Sequence, residues 1–410
     1  MTIRNHCIRI ILLLAAALIL LAGAGCQNGD SASPEPNPGI TDAPGGETAE
    51  IGQSAPMDPK LSDPAPAPEP ERPEPIIQTA TFAAIGDILI HSSIYKDAKT
   101  DSGYDFVPMF AKVRSYIESA DLALANQETM IGGAEIGLSD YPTFNSPYEV
   151  GDALKEIGID VVSLANNHTL DRGEKAIVNA LAHWNKLGMP YVGAYLSEED
   201  RNTPRIVTKN GISFAFLAYT YGTNGIPVPK GKPYLVELID PEKVKRDIER
   251  VRELADVVVV SAHFGQEYAD LPNDAQKQFA REAVEAGADM VIGHHPHVLQ
   301  PMEWIETDDG RKSFVIYSLG NFIAGQEGER KRTGGILSLE IVKTTMGEES
   351  KIELRNPAFV PTWISMKNWR NYSVVPLWEA PKDQLAKPEA YYETIRNHMS
   401  RWMPELKFPQ

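Results

Sequence analysis

Short apolar runs alternate with segments of helical spacing along most of this chain. Phe82-Ala-Ala-Ile85, Leu122-Ala-Leu-Ala125, Val161-Val162, Val257-Val-Val-Val260 and Met290-Val-Ile292 hold no polar residue. That is the pattern of strands buried on both faces. Gly293 marks the end of the last run. Tyr104 to Ala120 and Arg172 to Leu187 show helical spacing, and Gly188 stops the second. Pro241 to Ala255 follows Asp240, an N-cap residue, with proline at the first helical position. Asn273 to Ala286 reads the same way before Gly287. Asn210-Gly211 between two strand-like runs predicts a tight hairpin of type I′. Phe314 to Ser318, Gly335 to Val342 and Ile352 to Val360 read as further strands. The order is βαβα at first and antiparallel strands at the close, an α/β fold. No repeat of solenoid spacing occurs.

The first residues follow another pattern. Arg4 and Arg9 flank the start of an apolar run from Ile10 to Leu21, too short to span a membrane comfortably. Ala22-Gly-Ala-Gly-Cys26 follows, small residues of the kind found at a secretory cleavage site. A cysteine directly after them resembles the lipobox of bacterial lipoproteins, with Gly23 where leucine is usual. Cleavage before Cys26 would leave its thiol to carry lipid. Of two cysteines, Cys7 departs with the leader, so the exported part forms no internal disulfide. Gln27 to Pro75 then carries twelve of the 31 prolines and almost no large apolar residue. Such a stretch cannot bury enough surface to offset its ordering entropy and serves as a semi-rigid tether. The chain therefore divides into a leader over 1–25, a tether over 26–77, a folded domain over 78–378 and an extension over 379–410.

Charge narrows the partners. The formal net charge is −17, and the tether holds ten acidic residues against Lys60 and Arg72. That balance argues against nucleic acid. The chemistry gathers where apolar runs end. Asp87 and His91 follow the first run, Asn126 and Glu128 the second, and Asn166, Asn167 and His168 the third. His263 and Glu267 follow the fourth, and His294, His295 and His297 the fifth. Six of nine histidines sit at these ends. In an open α/β sheet, ligands bind just beyond the C-terminal ends of the strands. Aspartate, glutamate, asparagine and histidine without cysteine suit Mn²⁺, Fe or Zn²⁺, and two such ions suit hydrolysis. No Walker-type phosphate loop and no Gly-x-Ser-x-Gly elbow competes. Arg330-Lys-Arg332 is the one tight basic cluster near these ends, in a glycine-containing loop where an anionic substrate would be drawn.

Six motifs in order carry a family resemblance. Gly86-Asp87, Asn126-Gln-Glu128, Ser163-Leu-Ala-Asn-Asn-His168 with Asp171 and Gly173, His263-Phe-Gly-Gln-Glu-Tyr268, Gly293-His-His-Pro-His297 and Tyr317-Ser-Leu-Gly-Asn-Phe322 resemble the CapA family. These are capsule or poly-γ-glutamate synthesis proteins related to calcineurin-like metallophosphatases. The resemblance covers about Thr79 to Arg332. It implies a four-layer α/β/β/α sandwich with the site between the inner sheets. It places Asp87 as the first metal ligand, Glu128 at the bridging position where phosphatases carry aspartate, and Asn167 with His168 as the pair of which one is a ligand and the other a transition-state stabiliser or acid. His263 matches the later ligand. The histidine loop has one residue more than the phosphatase pattern, so His294 and His295 are alternatives beside His297. His91 stands at Asp-x-x-x-His spacing rather than Asp-x-His. Asn126 and Glu267 are further candidates. The implied function is a lipid-anchored, metal-dependent hydrolase on the outer face of the bacterial membrane, acting on a phosphoester or an anionic polymer. The other reading is a non-enzymatic assembly factor that binds the polymer or a membrane-bound capsule synthase.

Overall fold

Residues 74–409 are described in a computed structural model. The leader, Cys26 and the tether up to residue 73 lie outside the described residues. The chain alternates strand and helix and then turns to antiparallel strands, as the pattern predicts. The strands are β1 (Ile76–Leu89), β2 (Leu122–Gln127), β3 (Val161–Ser163), β4 (Tyr191–Val192), β5 (Arg205–Lys209), β6 (Ile212–Thr220) and β7 (Val257–His263). They continue as β8 (Met290–His294), β9 (Leu299–Glu306), β10 (Lys312–Leu319), β11 (Asn321–Ala324), β12 (Thr333–Met346), β13 (Glu349–Lys367) and β14 (Arg370–Pro376). One sheet has the order β14-β13-β12-β1-β2-β3-β4, with β11 also paired to β1. The other has the order β5-β6-β7-β8-β10-β9. β1 to β4 run parallel, as do β6, β7, β8 and β10.

Side chains on a strand alternate between faces, and three apolar clusters follow from that. Ala83 and Ile85 of β1, with Ala123 and Ala125 of β2, pack with helix residues such as Phe110, Leu154, Leu181 and Trp184. Their neighbours Phe82, Ala84, Leu122 and Leu124 instead meet Phe214, Phe216, Val257, Val259, Met290 and Ile292 of the other sheet. Leu217, Val258, Val260 and Val291 turn to Val244, Ile248, Phe279 and Ala280 on the helices Pro241–Arg252 and Asp274–Glu285. Runs that are apolar at every position are thus buried on both faces. The middle cluster also takes in Leu385, Tyr392, Ile395, Met399 and Met403 near the C-terminus.

Local signals account for several boundaries. Asp240 accepts from the Lys243 amide at 3.0 Å, and Asn273 with Gln276 forms a reciprocal capping box. Asn210 and Gly211 have φ of 51° and 80°, as a type I′ turn between β5 and β6 requires. Two expectations need correction. The helix over Tyr104–Ala120 is broken into Val107–Phe110 and Arg114–Glu118. Val113 N bonds to Phe110 O and Tyr116 N to Val113 O, three-residue steps that overwind the chain between them. Phe106, Met109, Phe110, Val113 and Ile117 are still all buried, so the apolar face was legible and its continuity was not. β8 also runs on past Gly293, because His294 pairs with His263 of β7.

Candidate metal centre

The trailing ends of β1, β2 and β3 in one sheet meet those of β7 and β8 in the other. Gly86 allows the approach at β1. A Cβ there would lie 2.0 Å from the Gly320 carbonyl, which instead accepts the Asp87 amide at 2.9 Å. Gly293 does the same in β8, where a Cβ would meet the Tyr317 carbonyl at 2.1 Å. The loop after β8 then takes a conformation that side chains seldom adopt. His295 and His297 have φ of 97° and 56°, and Tyr268 opposite them has 65°. Left-handed backbone at non-glycine residues costs energy and gathers where a site demands it.

Asp87, Glu128, His263, His294, His295 and His297 are all at most 3% exposed. His294 Nδ1 lies 3.4 Å from Asp87 Oδ1, and His297 Nδ1 lies 3.1 Å from Asp87 Oδ2. Glu128 Oε1 is 3.6 Å from His297 Nε2 and 3.7 Å from His263 Nε2. Asn126 donates to Asp87 Oδ1 at 2.8 Å. His263 Nε2 meets Asn167 Oδ1 at 2.7 Å across the two sheets. Ligand atoms fall within 4.8 Å of one another in three groups: Asp87, Glu128 and His297; Glu128, His263 and His295; and Glu267, His295 and His297. Glu128 and His297 each belong to two groups, and His295 to two as well.

Burial opposes charge on Asp87, yet His294 and His297 hold its carboxyl well below the ordinary aspartate range. Burial pushes Glu128 well above the usual range; His297 pulls it back, and the charge of Asp87 adds to the rise. Burial also opposes charge on His297, but Glu128 and Asp87 outweigh it and raise its pKa to about 9. Burial and His297 press His295 down to about 3, and burial with His295 takes His263 well below its ordinary value.

The residues fit a cation. Both oxygens of Glu128, both ring nitrogens of His294 and Nδ1 of His295 are buried without a hydrogen-bond partner. An unpartnered buried polar group costs about 1–3 kcal/mol, more when charged, so five such atoms in one place are explained by a ligand that satisfies them. Oxygen and imidazole donors with no thiolate suit Mn²⁺, Fe²⁺ or Zn²⁺.

Other expected residues lie around this nucleus. His168 Nδ1 is 2.7 Å from Asp171 Oδ2, which also accepts the Phe144 amide at 2.7 Å. His91 stands apart from the three ligand groups: its Nδ1 accepts from the Gly325 amide at 3.0 Å, and its ring meets the edge of Phe144. Arg330 and Lys331 remain beside Tyr268. Arg332 is engaged inside the fold, donating to Ile364 O and Gln384 Oε1 with its guanidinium 4.4 Å over the Trp363 ring.

Three neighbours were given no role from the sequence, although Asn321 lies within the Tyr317–Phe322 motif. Asn321 accepts from His297 Nδ1 at 3.0 Å and donates to Lys331 O at 2.9 Å. Tyr221, half exposed, leans on the His295 ring at 4.6 Å. Asn224 accepts from Asn167 Nδ2 at 3.2 Å. Tyr221 and Asn224 follow β6, another parallel strand whose trailing end reaches the site, since Thr220 pairs with His263. Applying the strand-end rule to that run would have found them.

Two sheets that converge on a buried carboxylate–imidazole cluster define an α/β protein with a candidate divalent-metal centre. The chain belongs to the family described as "Bacterial capsule synthesis protein PGA_cap", whose profile matches residues 81–326. It is 37% identical over 196 residues to the "PGA biosynthesis protein CapA" of Bacillus subtilis (strain 168), 47% of this chain and 50% of that one. It is 29% identical over 277 residues to the "Capsule biosynthesis protein CapA" of Bacillus anthracis, 64% of each. The chain thus spans about half the length of the first relative and under two thirds of the second. Among solved structures, the 5′-nucleotidase precursor of Thermus thermophilus aligns over 78% of this chain and 59% of its own, at a TM-score of 0.38 and 15% identity.

Proposed function

We propose that this protein is a metal-dependent hydrolase of capsule or poly-γ-glutamate synthesis, of metallophosphatase type. We propose further that lipid on Cys26 holds it at the outer face of the bacterial membrane. One observation carries the catalytic reading: the buried set of Asp87, Glu128, His263, His294, His295 and His297, in which both oxygens of Glu128, both ring nitrogens of His294, Oδ2 of Asp87 and Nδ1 of His295 have no hydrogen-bond partner. The names of the two CapA relatives support the biosynthetic setting.

Asp87, Glu128, His263, His295 and His297 would hold one or two divalent ions, with His294 beside Asp87. Bound there, such ions supply Lewis acidity toward a phosphoryl or carbonyl oxygen. The chain's own residues do the rest. Asp171 accepts a hydrogen bond from His168 Nδ1 and fixes that ring, which leaves Nε2 as the atom that gives or receives a proton. Asn167 ties the end of β3 to His263 and holds the two sheets in register at the site. Asn321 keeps His297 turned toward Asp87 and Glu128. Arg330 and Lys331, near the exposed Glu267, offer cations to an anionic substrate. A membrane-bound synthase is a partner consistent with the anchor.

Elemental analysis of the full chain, purified without chelators, should find one or two Mn, Fe or Zn ions. Hydrolysis of p-nitrophenyl phosphate or of polyglutamate should depend on them and fall sharply in His168→Ala, which leaves metal content intact. Protein that neither carries nor acquires metal would defeat the proposal. Metal without turnover of either substrate class would replace it with the assembly-factor reading.

A further inference from the structure

Three of the chain's fifteen tyrosines are exposed, and all three stand around the mouth of the centre. Tyr141 is 74% exposed, Tyr221 49% and Tyr268 40%. The Tyr268 ring lies 6.2 Å from the His297 ring, and the Tyr221 ring 4.6 Å from that of His295. Tyr141 is one ring removed from His168: it meets Phe144 at 6.3 Å, and Phe144 meets His168 at 4.8 Å. The loop that begins at Tyr221 closes the gap between them, for exposed Asn224 has its Nδ2 3.4 Å from His168 Nδ1. A single exposed ring needs no explanation. Three rings on separate loops, after β2, β6 and β7, that meet around one cleft do.

The loop that carries Tyr141 is firmly held. Arg172 donates to Ile136 O and Gly137 O, both at 3.0 Å, and to Ser139 Oγ at 2.6 Å. Ser139 Oγ donates to Thr143 O at 2.7 Å. Asn145 Nδ2 donates to Gly133 O at 2.9 Å and to Gly137 O at 3.0 Å. The ring therefore stands in water on a fixed support. A support ordered in advance lowers the cost of binding.

Charge divides the mouth into two flanks. Beside Tyr268 are the cations, with Lys331 Nζ 5.1 Å over its ring and Arg330 bonded to its carbonyl. Beside Tyr141 and Tyr221 are acids. Asp140 adjoins Tyr141, and exposed Glu267 shares a ligand group with His295, on whose ring Tyr221 leans. The face of a tyrosine ring is the negative side of its quadrupole. Such a flank repels carboxylates. It attracts the polarised C–H bonds on one face of a sugar, whose hydroxyls then meet Asn224, Asp140 and Glu267.

We infer that Tyr141 and Tyr221 seat a sugar ring, and that the bond broken at the centre is the phosphoester of a saccharide. The inference rests on the reading of the centre as hydrolytic and narrows its substrate class. The phosphate lies toward Arg330 and Lys331, and the sugar toward Tyr141. Hydrolysis breaks the P–O bond: water gives its hydroxyl to phosphorus, and a proton passes to the departing sugar oxygen on the side of His168.

The test sets N-acetylglucosamine 1-phosphate against glycerol 1-phosphate, which has the same phosphate and no ring, on the full chain loaded with Mn²⁺. Binding of chitotetraose, read by saturation-transfer NMR, serves as the measurement without turnover. Tyr141→Leu keeps apolar area and removes the aromatic face. It should raise KM for the sugar ester about fivefold and weaken chitotetraose to the same degree. Its kcat, glycerol 1-phosphate turnover, metal content and Tm should match the wild type. Tyr141→Phe should behave as the wild type toward both probes. A Tyr141→Leu variant with unaltered KM and chitotetraose binding would overturn the inference and leave the centre standing. So would wild type that turns over glycerol 1-phosphate as well as the sugar ester. AMP bound more tightly than the sugar ester, with the same dependence on Tyr141, would replace the sugar by a flat base. In metal-loaded protein that hydrolyses neither ester, chitotetraose binding that needs Tyr141 would support the sugar seat and remove the hydrolytic reading.

Discussion

The parallel strands have carboxylates at both ends, under opposite conditions. At the leading ends Asp121, Asp160, Asp256 and Asp289 stand one residue before β2, β3, β7 and β8. Each accepts a backbone amide from the neighbouring strand: Thr81 at 2.8 Å, Ala123 at 2.9 Å, Ser213 at 2.8 Å and Val258 at 2.7 Å. Three also meet a cation, Lys209 with Asp160, Lys343 with Asp256 and Arg252 with Asp289. At the trailing ends Asp87 and Glu128 are more deeply buried, yet both oxygens of Glu128 have no partner. The same chemical group thus clips the sheet together at one end and is left unsatisfied at the other. The difference teaches that burial of a carboxylate does not mark a site; burial without donors does.

Substitution should separate the two ends. The largest effect belongs to the trailing end, where Asp87→Ala should weaken Mn²⁺ or Zn²⁺ binding by about 100-fold or more in titration calorimetry. Unaltered affinity would make Asp87 one more structural clip. At the leading end Asp289→Ala leaves Arg252 and the Val258 amide without their partner and should lower stability by about 3 kcal/mol in denaturant unfolding, with metal affinity unchanged. A loss under about 0.5 kcal/mol would show that the clip is dispensable.

A third change reverses the sign. Burial raises the Glu128 pKa above its unfolded value, so its ionisation destabilises the metal-free fold as pH rises through the unfolded pKa toward the folded one. Glu128→Gln should therefore stabilise metal-free protein at neutral pH, by about 1–2 kcal/mol, while impairing metal uptake. A lower Tm for that variant would show that the charge is already satisfied. The smallest effect concerns Asp256. Burial works against it, but Lys343 and the Ser213 amide and hydroxyl hold its pKa below the ordinary value. The stability it contributes is present above the unfolded pKa and lost as pH falls through the folded one. Solvent screens the pair, so Asp256→Asn should cost less than about 1 kcal/mol at neutral pH and flatten the acid limb of the stability profile. An unchanged acid limb would assign that limb to other carboxylates.

Much of the site was legible because ligands in α/β sheets gather at strand ends, and a strand end is a local feature. Asp87, Glu128, His263 and the histidine loop each follow an apolar run, and reading those runs was enough to name them. The leading-end aspartates were equally visible, each in an Asp-apolar pair at the start of a run. The pattern of residues does not say which end of a strand will find amide donors.

Sequence by itself determined which runs are buried on both faces, where the β5–β6 hairpin turns, which helices carry caps, and which side chains stand at strand ends. These depend on spacing within one element, where φ, ψ and side-chain direction are set by near neighbours. Tertiary structure alone decided the rest. It brought His295 into the ligand groups and left His294 facing Asp87, drew Arg332 toward Trp363 and Gln384, and laid the C-terminal helix against β9. Each of these is a contact between elements far apart in the chain, fixed by how two sheets and their helices pack, and no periodicity within a single segment encodes that distance.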